Sequence, residues 1–353
     1  MQPASLRIDL ISDTQTKPTL LMREAMMHAP LGDEQRGEDP STNRLCEMVA
    51  AMLGKEAAVF LPSGVMCNQI SILVHCRPGD EILADESSHI IGSEAGGAAA
   101  LAGTMIHPLR GQGGIYNAEQ LIDAIRPHKR NAPRARLAVF EQTANRGGGS
   151  IWPLEAIQAI AKVAKSCNLA VHMDGARIMN AQVASGVPAK HYAEPCDSVW
   201  LDLSKGLGCP VGAVLAGSKD FIEQAWVWKH RLGGAMRQSG ILAAAGIYAL
   251  EHHVDRLALD HANARLFAER IATIPGIDVD PTAVQTNIVF FDVRNTGLTS
   301  QEVAAQLLEL GIRFGTESTY RMRAVTHMDV NLSDLEEAAS ALADVAGSKL
   351  LII

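Results

Sequence analysis

Two charged residues stand at positions where a protein can carry out carbon chemistry. His172-Met173-Asp174-Gly175-Ala176-Arg177 closes one apolar run, and Ser204-Lys205-Gly206-Leu207-Gly208 closes the next, 31 residues after Asp174. In a parallel sheet ligands gather at the carboxyl ends of strands, and one strand–helix–strand step takes about 30 residues. Asp174 and Lys205 are therefore expected to face one crevice. A lysine amine can form an imine with an aldehyde. A carboxylate can keep a pyridine nitrogen protonated, so that the ring accepts the electrons of a carbanion. Pyridoxal phosphate requires that pair. Spacing alone leaves another reading open, in which Asp174 caps a helix and Lys205 is solvated in a turn. The glycines beside the lysine, with Ser204 before it, favour close approach of a ligand.

Leu61-Pro62-Ser63-Gly64-Val65-Met66 leads from a strand through a glycine turn into a helix start. Free backbone N–H groups and the helix dipole make Ser63, Gly64 and Val65 a candidate phosphate seat, although such turns are common. The chain has no GxxxxGK[ST] run and no strand-placed GxGxxG, so nucleoside triphosphates and dinucleotides lack an anchor. His89 follows a predicted strand and is a candidate ring partner and base, with a structural or solvated histidine as the commoner outcome. Arg177 and Arg323 are candidates for a two-pronged grip on a substrate carboxylate, against the usual surface reading of an isolated arginine. No HExxH, CxxC or clustered His/Cys pattern points to a catalytic metal, and Ser63-Gly64 lacks the flanks of a nucleophile elbow.

The elements that must position these residues read as an α/β fold. Short apolar runs at 57–61, 81–84, 104–107, 137–141, 169–173, 198–203 and 213–216 read as strands of a mostly parallel sheet, and 66–75 as a helix. A helix-rich stretch over 240–274 is expected to bridge to a smaller α+β unit. There, 287–293 and 321–326 read as strands and 300–310 as a helix, before a final amphipathic helix over 332–349 capped by Ser333. The expected division is residues 1–245 for the N-terminal segment and large domain, and 246–353 for the small C-terminal domain. With 353 residues, 47% hydrophobic and 20% charged, the chain has the composition of a soluble globular protein. A formal charge of −8 argues against a nucleic-acid partner. Six cysteines without paired spacing suggest buried small side chains in a reducing compartment. The longest apolar run, 241–250, is far short of the ~20 residues that span a bilayer, and the first ten residues carry Arg7 and Asp9. The expected location is the cytoplasm, with no membrane partner.

The full set of motifs resembles the low-specificity L-threonine aldolases, pyridoxal-phosphate enzymes of the beta-eliminating lyase group. The resemblance is carried by Ile11-Ser12-Asp13-Thr14-Gln15-Thr16, Gly37-Glu38-Asp39-Pro40, Gly54-Lys55-Glu56-Ala57-Ala58, Leu61-Pro62-Ser63-Gly64, His172 to Arg177, Leu203-Ser204-Lys205-Gly206-Leu207, Met236-Arg237-Gln238-Ser239-Gly240 and Val325-Thr326-His327. These run in order over residues 8–330. The resemblance implies the aminotransferase-like fold, known as fold type I, usually assembled as a homotetramer of two tight dimers with sites at subunit interfaces. It implies that Lys205 carries the cofactor as an imine, Asp174 partners the pyridine nitrogen and His89 stacks on the ring. Ser63, Gly64 and Val65 would hold the phosphate, with Arg177, Ser204 and Arg237 completing the cofactor set. Ser12, Arg177 and Arg323 would take the substrate carboxylate. Arg237, and less surely Lys229 or His230, would reach a neighbouring subunit's cofactor. The implied reaction cleaves a β-hydroxy-α-amino acid to glycine and an aldehyde. β-Elimination and racemisation would use the same cofactor residues. A binding or regulatory protein that has lost catalysis has little need of Lys205.

Three positions depart from the family pattern. Ala144 stands where a substrate-binding histidine is usual, Arg36 where a tyrosine is usual, and Ile90-Ile91 where an aromatic pair follows the site histidine. A roomier pocket is one expected consequence. An inward-facing Arg36 would select a larger or anionic substrate, such as a β-hydroxy-aspartate-like acid. Equally, Arg36 turns to solvent or pairs with an acid such as Asp202, and His89 alone suffices for cleavage.

Overall fold

Runs of valine, isoleucine, leucine and alanine bounded by glycine turns supply the strands. The computed structural model describes residues 5–127 and 129–350. Pro18–Val254 forms one compact unit, and 5–17 together with 255–350 forms a second. The chain opens on a short strand, β1 (Ile8–Leu10), which belongs to the second unit.

The first unit is built on a seven-stranded sheet. Its strands are β2 (Ala57–Leu61), β3 (Asp80–Asp85), β4 (Met105–Leu109), β5 (Arg134–Glu141), β6 (Ala170–Gly175), β7 (Ser198–Asp202) and β8 (Ala213–Gly217), in the order β2-β8-β7-β6-β5-β3-β4. From β4 to β7 every pairing is parallel, whereas β8 runs antiparallel to both β7 and β2. Strands β3, β6, β7 and β8 are buried along their whole length, as expected of a sheet covered on both faces. Two reversals through β8 restore the direction of β2. Ala213 therefore pairs with Leu61 on one side and Asp202 on the other, and β2 and β7 end at the same edge of the sheet.

Three helices precede or follow β2. Helix α1 (Leu20–Met27) and α2 (Pro40–Leu53) begin at Thr19 and Asp39, whose side chains accept from the backbone N–H groups of Met22 and Thr42. Helix α3 (Gly64–His75) begins at Ser63, whose hydroxyl accepts from Met66 N. Cys67, Ile70, Ile72 and Leu73 anchor α3 in the core, yet Asn68, Gln69 and Ser71 are buried beside them. The stretch expected to bridge the units breaks at 253–256 into helices Gly240–His252 and Leu257–Ile271, one in each unit.

The second unit carries a four-stranded sheet, β1-β10-β11-β9, with β9 (Ile288–Asp292), β10 (Ile312–Thr316) and β11 (Arg321–Val325). Residues 8–10, grouped above with the large domain, pair in parallel with β10 as Ile8↔Ile312 and Leu10↔Phe314. The sheet packs on helices Leu257–Ile271, Ser300–Glu309 and Leu332–Leu350 around Phe267, Phe291, Phe314, Leu307 and Leu342. The last helix is not capped by Ser333. Asn331 Oδ1 accepts from Asp334 N, and Asp334 returns an acceptor to Asn331 N, so the reciprocal cap lies two residues earlier. No helix among the described residues is long and apolar enough to cross a membrane.

Candidate active site

Asp174 ends β6 and is 3% exposed. Its Oδ2 accepts from Asn68 Nδ2 at 2.9 Å and its Oδ1 from Ala176 N at 3.1 Å. Burial pushes this carboxyl above its ordinary pKa, while Lys205, the Asn68 amide and His89 oppose that push. On the neighbouring strand, β7 runs into Ser204-Lys205, and Lys205 Nζ lies 3.0 Å from Asp202 Oδ2 and 5.6 Å from the centre of the Trp200 ring. The other oxygen of Asp202 accepts from both the backbone and the hydroxyl of Ser204. The lysine side chain keeps 19% exposure, so its amine is reachable in a surround that is otherwise closed.

The start of α3 faces the same strand. An added Cβ at Gly64 would lie 2.2 and 2.4 Å from ring carbons of Trp200, so only glycine fits there. Trp200 Nε1 donates to Asn68 Oδ1 at 2.7 Å, which ties the first turns of α3 to β7. Val65 remains 40% exposed at the helix N-terminus, where backbone N–H groups have no partner within the helix.

His89 lies beyond β3, at the start of a short helical turn. Its Nδ1 contacts Glu94 Oε1 at 2.8 Å, and its backbone N–H donates to the Glu141 carboxylate. Glu94 is buried and also accepts from Asn68 Nδ2 at 2.7 Å and Gln69 Nε2 at 2.6 Å. The hydrogen bond to Glu94 raises the His89 pKa against the effect of burial. Glu141, on β5, is pushed up to about 7 by burial and by Asp174. Asn68, Glu94, Glu141 and Trp200 were not singled out from the sequence. Two carboxamides, Asn68-Gln69, inside an otherwise apolar helix were the available signal.

The structure sorts the remaining candidates. Arg177 is buried after β6, with its backbone N–H on Gln142 O and Nη1 3.4 Å from Asn145 Oδ1. Arg237 Nη1 lies 2.9 Å from Asp33 Oδ2, and Arg36 Nε lies 3.8 Å from the same oxygen. Arg36 is thus a largely exposed arginine paired with Asp33, and Asp202 is occupied by Lys205 and Ser204 instead. Lys229 is fully buried in an ion pair with Glu34 and lies 4.2 Å from the Trp226 ring centre, so it is not free to reach another subunit. His230 is exposed at the end of the same helix. In the second unit, Ser12 caps a short turn by accepting from Thr14 N, and Arg323 donates to Ile11 O at 3.1 Å and pairs with Glu317. Ser12 and Arg323 are therefore neighbours within that unit.

The departures are accommodated by packing. Ala144 is 2% exposed, and a Cβ on Gly114 would come within 2.8 Å of its methyl, so the Gly113-Gly114 turn covers the space a larger side chain would take. Ile90 and Ile91 turn into a core cluster with Ile82, Ala84 and Leu137.

The beta-eliminating lyase family model matches residues 9–294. The low specificity L-threonine aldolase of Escherichia coli K12 is 41% identical over 336 residues, covering 94% of this chain and 97% of its own. Low-specificity L-threonine aldolase 1 of Arabidopsis thaliana is 40% identical over 340 residues, 94% of each chain. A threonine aldolase structure from Leishmania major superposes with a TM-score of 0.80 at 17% identity, covering 96% of this chain and 99% of that one.

Proposed function

This chain belongs to the beta-eliminating lyase family, and on that premise we propose that it is a pyridoxal-phosphate-dependent aldolase. Its reaction is the cleavage of L-threonine, L-allo-threonine and related β-hydroxy-α-amino acids to glycine and an aldehyde. The observation that carries the reading is the buried Asp174, held by Asn68, one strand away from the reachable amine of Lys205.

The residues present fit the cofactor. Asp174 offers a carboxylate fixed by two donors, Lys205 an amine, and the α3 N-terminus an anion seat kept open by Gly64 against Trp200. Bound there, the cofactor supplies an aldehyde for an amine and a protonated ring that takes up the electron pair of the breaking Cα–Cβ bond. Lys205 would anchor it through its amine. Asp202, 3.0 Å away, stands ready to balance the charge on Lys205. Asp174 would hold the proton on the ring nitrogen. Glu94 accepts the Nδ1–H of His89, which leaves the Nε2 lone pair to take the proton of the substrate β-hydroxyl. Arg177 is assigned to the substrate carboxylate, and Ser63, Val65 and Ser204 to the cofactor's phosphate and anchor loop.

A homotetramer with composite sites belongs to the same reading, with Arg237 as the residue offered to a neighbour. Leu20, Leu21 and Met27 on α1 are 60% or more exposed, and Leu31 is half exposed, which supports a second copy covering this face. The deciding experiment records the visible absorbance of the purified protein with and without borohydride, then assays acetaldehyde from L-threonine and L-allo-threonine. The expected result is a band absent from Lys205→Ala, acetaldehyde release, and a loss of at least about 10³-fold in that variant. Keto acid and ammonia as products overturn the aldolase reading, and a band without acetaldehyde overturns threonine as the substrate and moves the search to acidic or bulky β-substituted amino acids.

A further inference from the structure

Asn68 is the junction of a buried hydrogen-bond chain, and its amide has only one possible orientation. The Trp200 indole can only donate, and it points at Oδ1 from 2.7 Å. Carboxylates can only accept, and Glu94 and Asp174 receive the two protons of Nδ2. His172 Nε2 lies 3.1 Å from the same Oδ1 and must therefore be the N–H nitrogen of that ring. His172 is fully buried, which pushes its pKa down to about 3 and keeps it neutral, so Nδ1 is a bare acceptor. The partner of Nδ1 is Ser198 Oγ at 2.8 Å, which must donate to it. Ser198 Oγ then has a lone pair for its other neighbour, His75 Nε2 at 2.8 Å, and that nitrogen carries a proton in turn. Burial holds His75 neutral as well, down to about 4.

We propose that His75, Ser198, His172 and Asn68 form a one-way hydrogen-bond relay ending on Asp174 Oδ2, and that they are positioning residues for the carboxylate that holds the ring nitrogen. Every donor in the series points toward Asp174: His75 Nε2–H to Ser198, Ser198 O–H to His172, His172 Nε2–H to Asn68, and Asn68 N–H to Asp174. Aligned donors polarise one another in a low-dielectric interior, so each link strengthens the last. The relay crosses from α3 through β7 and β6, and Asn68, Ser198 and His172 are each fully buried. Its amide junction passes polarisation but no proton, so it fixes the charge and angle of Asp174 without exchanging protons with it. The charged groups facing Asp174 are Lys205 after β7, His89 and Glu94 after β3, and Glu141 on β5. Those facing His75 are Asp197 and Arg136.

The inference rests on the aldolase reading for its function, although its geometry does not. Ser198→Ala removes the central link while leaving every residue of the site in place. The expected result is a three- to tenfold fall in kcat for L-threonine with KM unchanged. The acid limb of the pH–rate profile and of the visible band's titration moves up by roughly half a unit to one unit, the scale of one net hydrogen bond. Ser198→Thr keeps a hydroxyl and restores both. His75→Phe keeps the ring stacked 5.0 Å from Phe221 and loses only the outermost donor, so it gives a smaller shift of the same sign. It also carries the test if Ser198→Ala does not fold. Nitrogen-15 resonances of the purified wild-type protein give a separate readout, with His172 expected as the Nε2–H tautomer. A titration unmoved in both variants, or a His172 protonated at Nδ1, overturns the relay. A wild-type protein with the expected tautomers but no threonine cleavage overturns the aldolase reading alone.

Discussion

Asp174 is 3% exposed and its two oxygens are met by donors from α3 and from its own turn, whereas the arginine side chains that reach Asp33 are 61% and 72% exposed. Both carboxylates face positive charge. At Asp174 the surrounding dipoles are fixed by packing and cannot be replaced by water. At Asp33 solvent and salt share the pairing, so either arginine can leave at little cost. Glu34, the next residue in the chain, belongs with the interior case, since it accepts from Lys229 and from Met236 N with both side chains buried. Orientation that matters to chemistry is thus found where a group cannot be solvated, and the number of charges nearby says little about it.

Breaking the interior case should have the largest effect. Asp174→Asn keeps the shape and removes the charge, and steady-state kinetics with L-threonine should show kcat lower by about 10²–10³-fold. Removal of one buried partner comes next. Lys229→Met leaves the buried Glu34 without its charge partner, and denaturant titration should show a loss of about 3–5 kcal/mol. Glu141 sharpens the contrast through pH. Its folded pKa of about 7 lies above the ordinary 4.5, so between these values the folded state holds a proton that the unfolded state has lost. Stability from this group is therefore present below about 4.5 and is lost as pH rises through about 7. Melting temperatures of Glu141→Gln relative to wild type should climb across that window and level off above it. At the exposed cluster, Arg36→Tyr should change stability by less than about 0.5 kcal/mol by the same titration.

The parts of this contrast differ in how far they can be read from sequence. Lys205, Asp174 and Ser63-Gly64 are legible because strand ends and helix starts are local patterns, and the positions of the large sheet's strands along the chain follow from the apolar runs. The reversal of β8 is not legible, because Ala213–Gly217 has the same composition whichever way it runs. Strands β1 and β10 are short and carry charges at Asp9 and Arg313, which pair with each other across the sheet and hide the apolar alternation. Ser333 is a good cap by type, but Asn331 with Asp334 three residues later satisfies both open backbone groups. The relay from His75 to Asp174 depends on which residues β6 and β7 place side by side. No window of consecutive residues contains that register. The partner of Arg36 is the opposite case, since Asp33 lies only three positions away while Asp202 is taken up by Lys205 and Ser204.

Trp200 has a consequence for how such a protein can change through descent. Its ring fills the space that a side chain at 64 would need, its N–H fixes the amide at 68, and its face lies beneath Lys205. A mutation to alanine at 64 would call for a smaller ring at 200, and that replacement would leave Asn68 without the donor that orients it. Each single step loses something before the compensating step can arrive. Positions 64, 68 and 200 are therefore expected to be inherited as a block, and lineages that keep Lys205 should alter the three together or leave all of them alone.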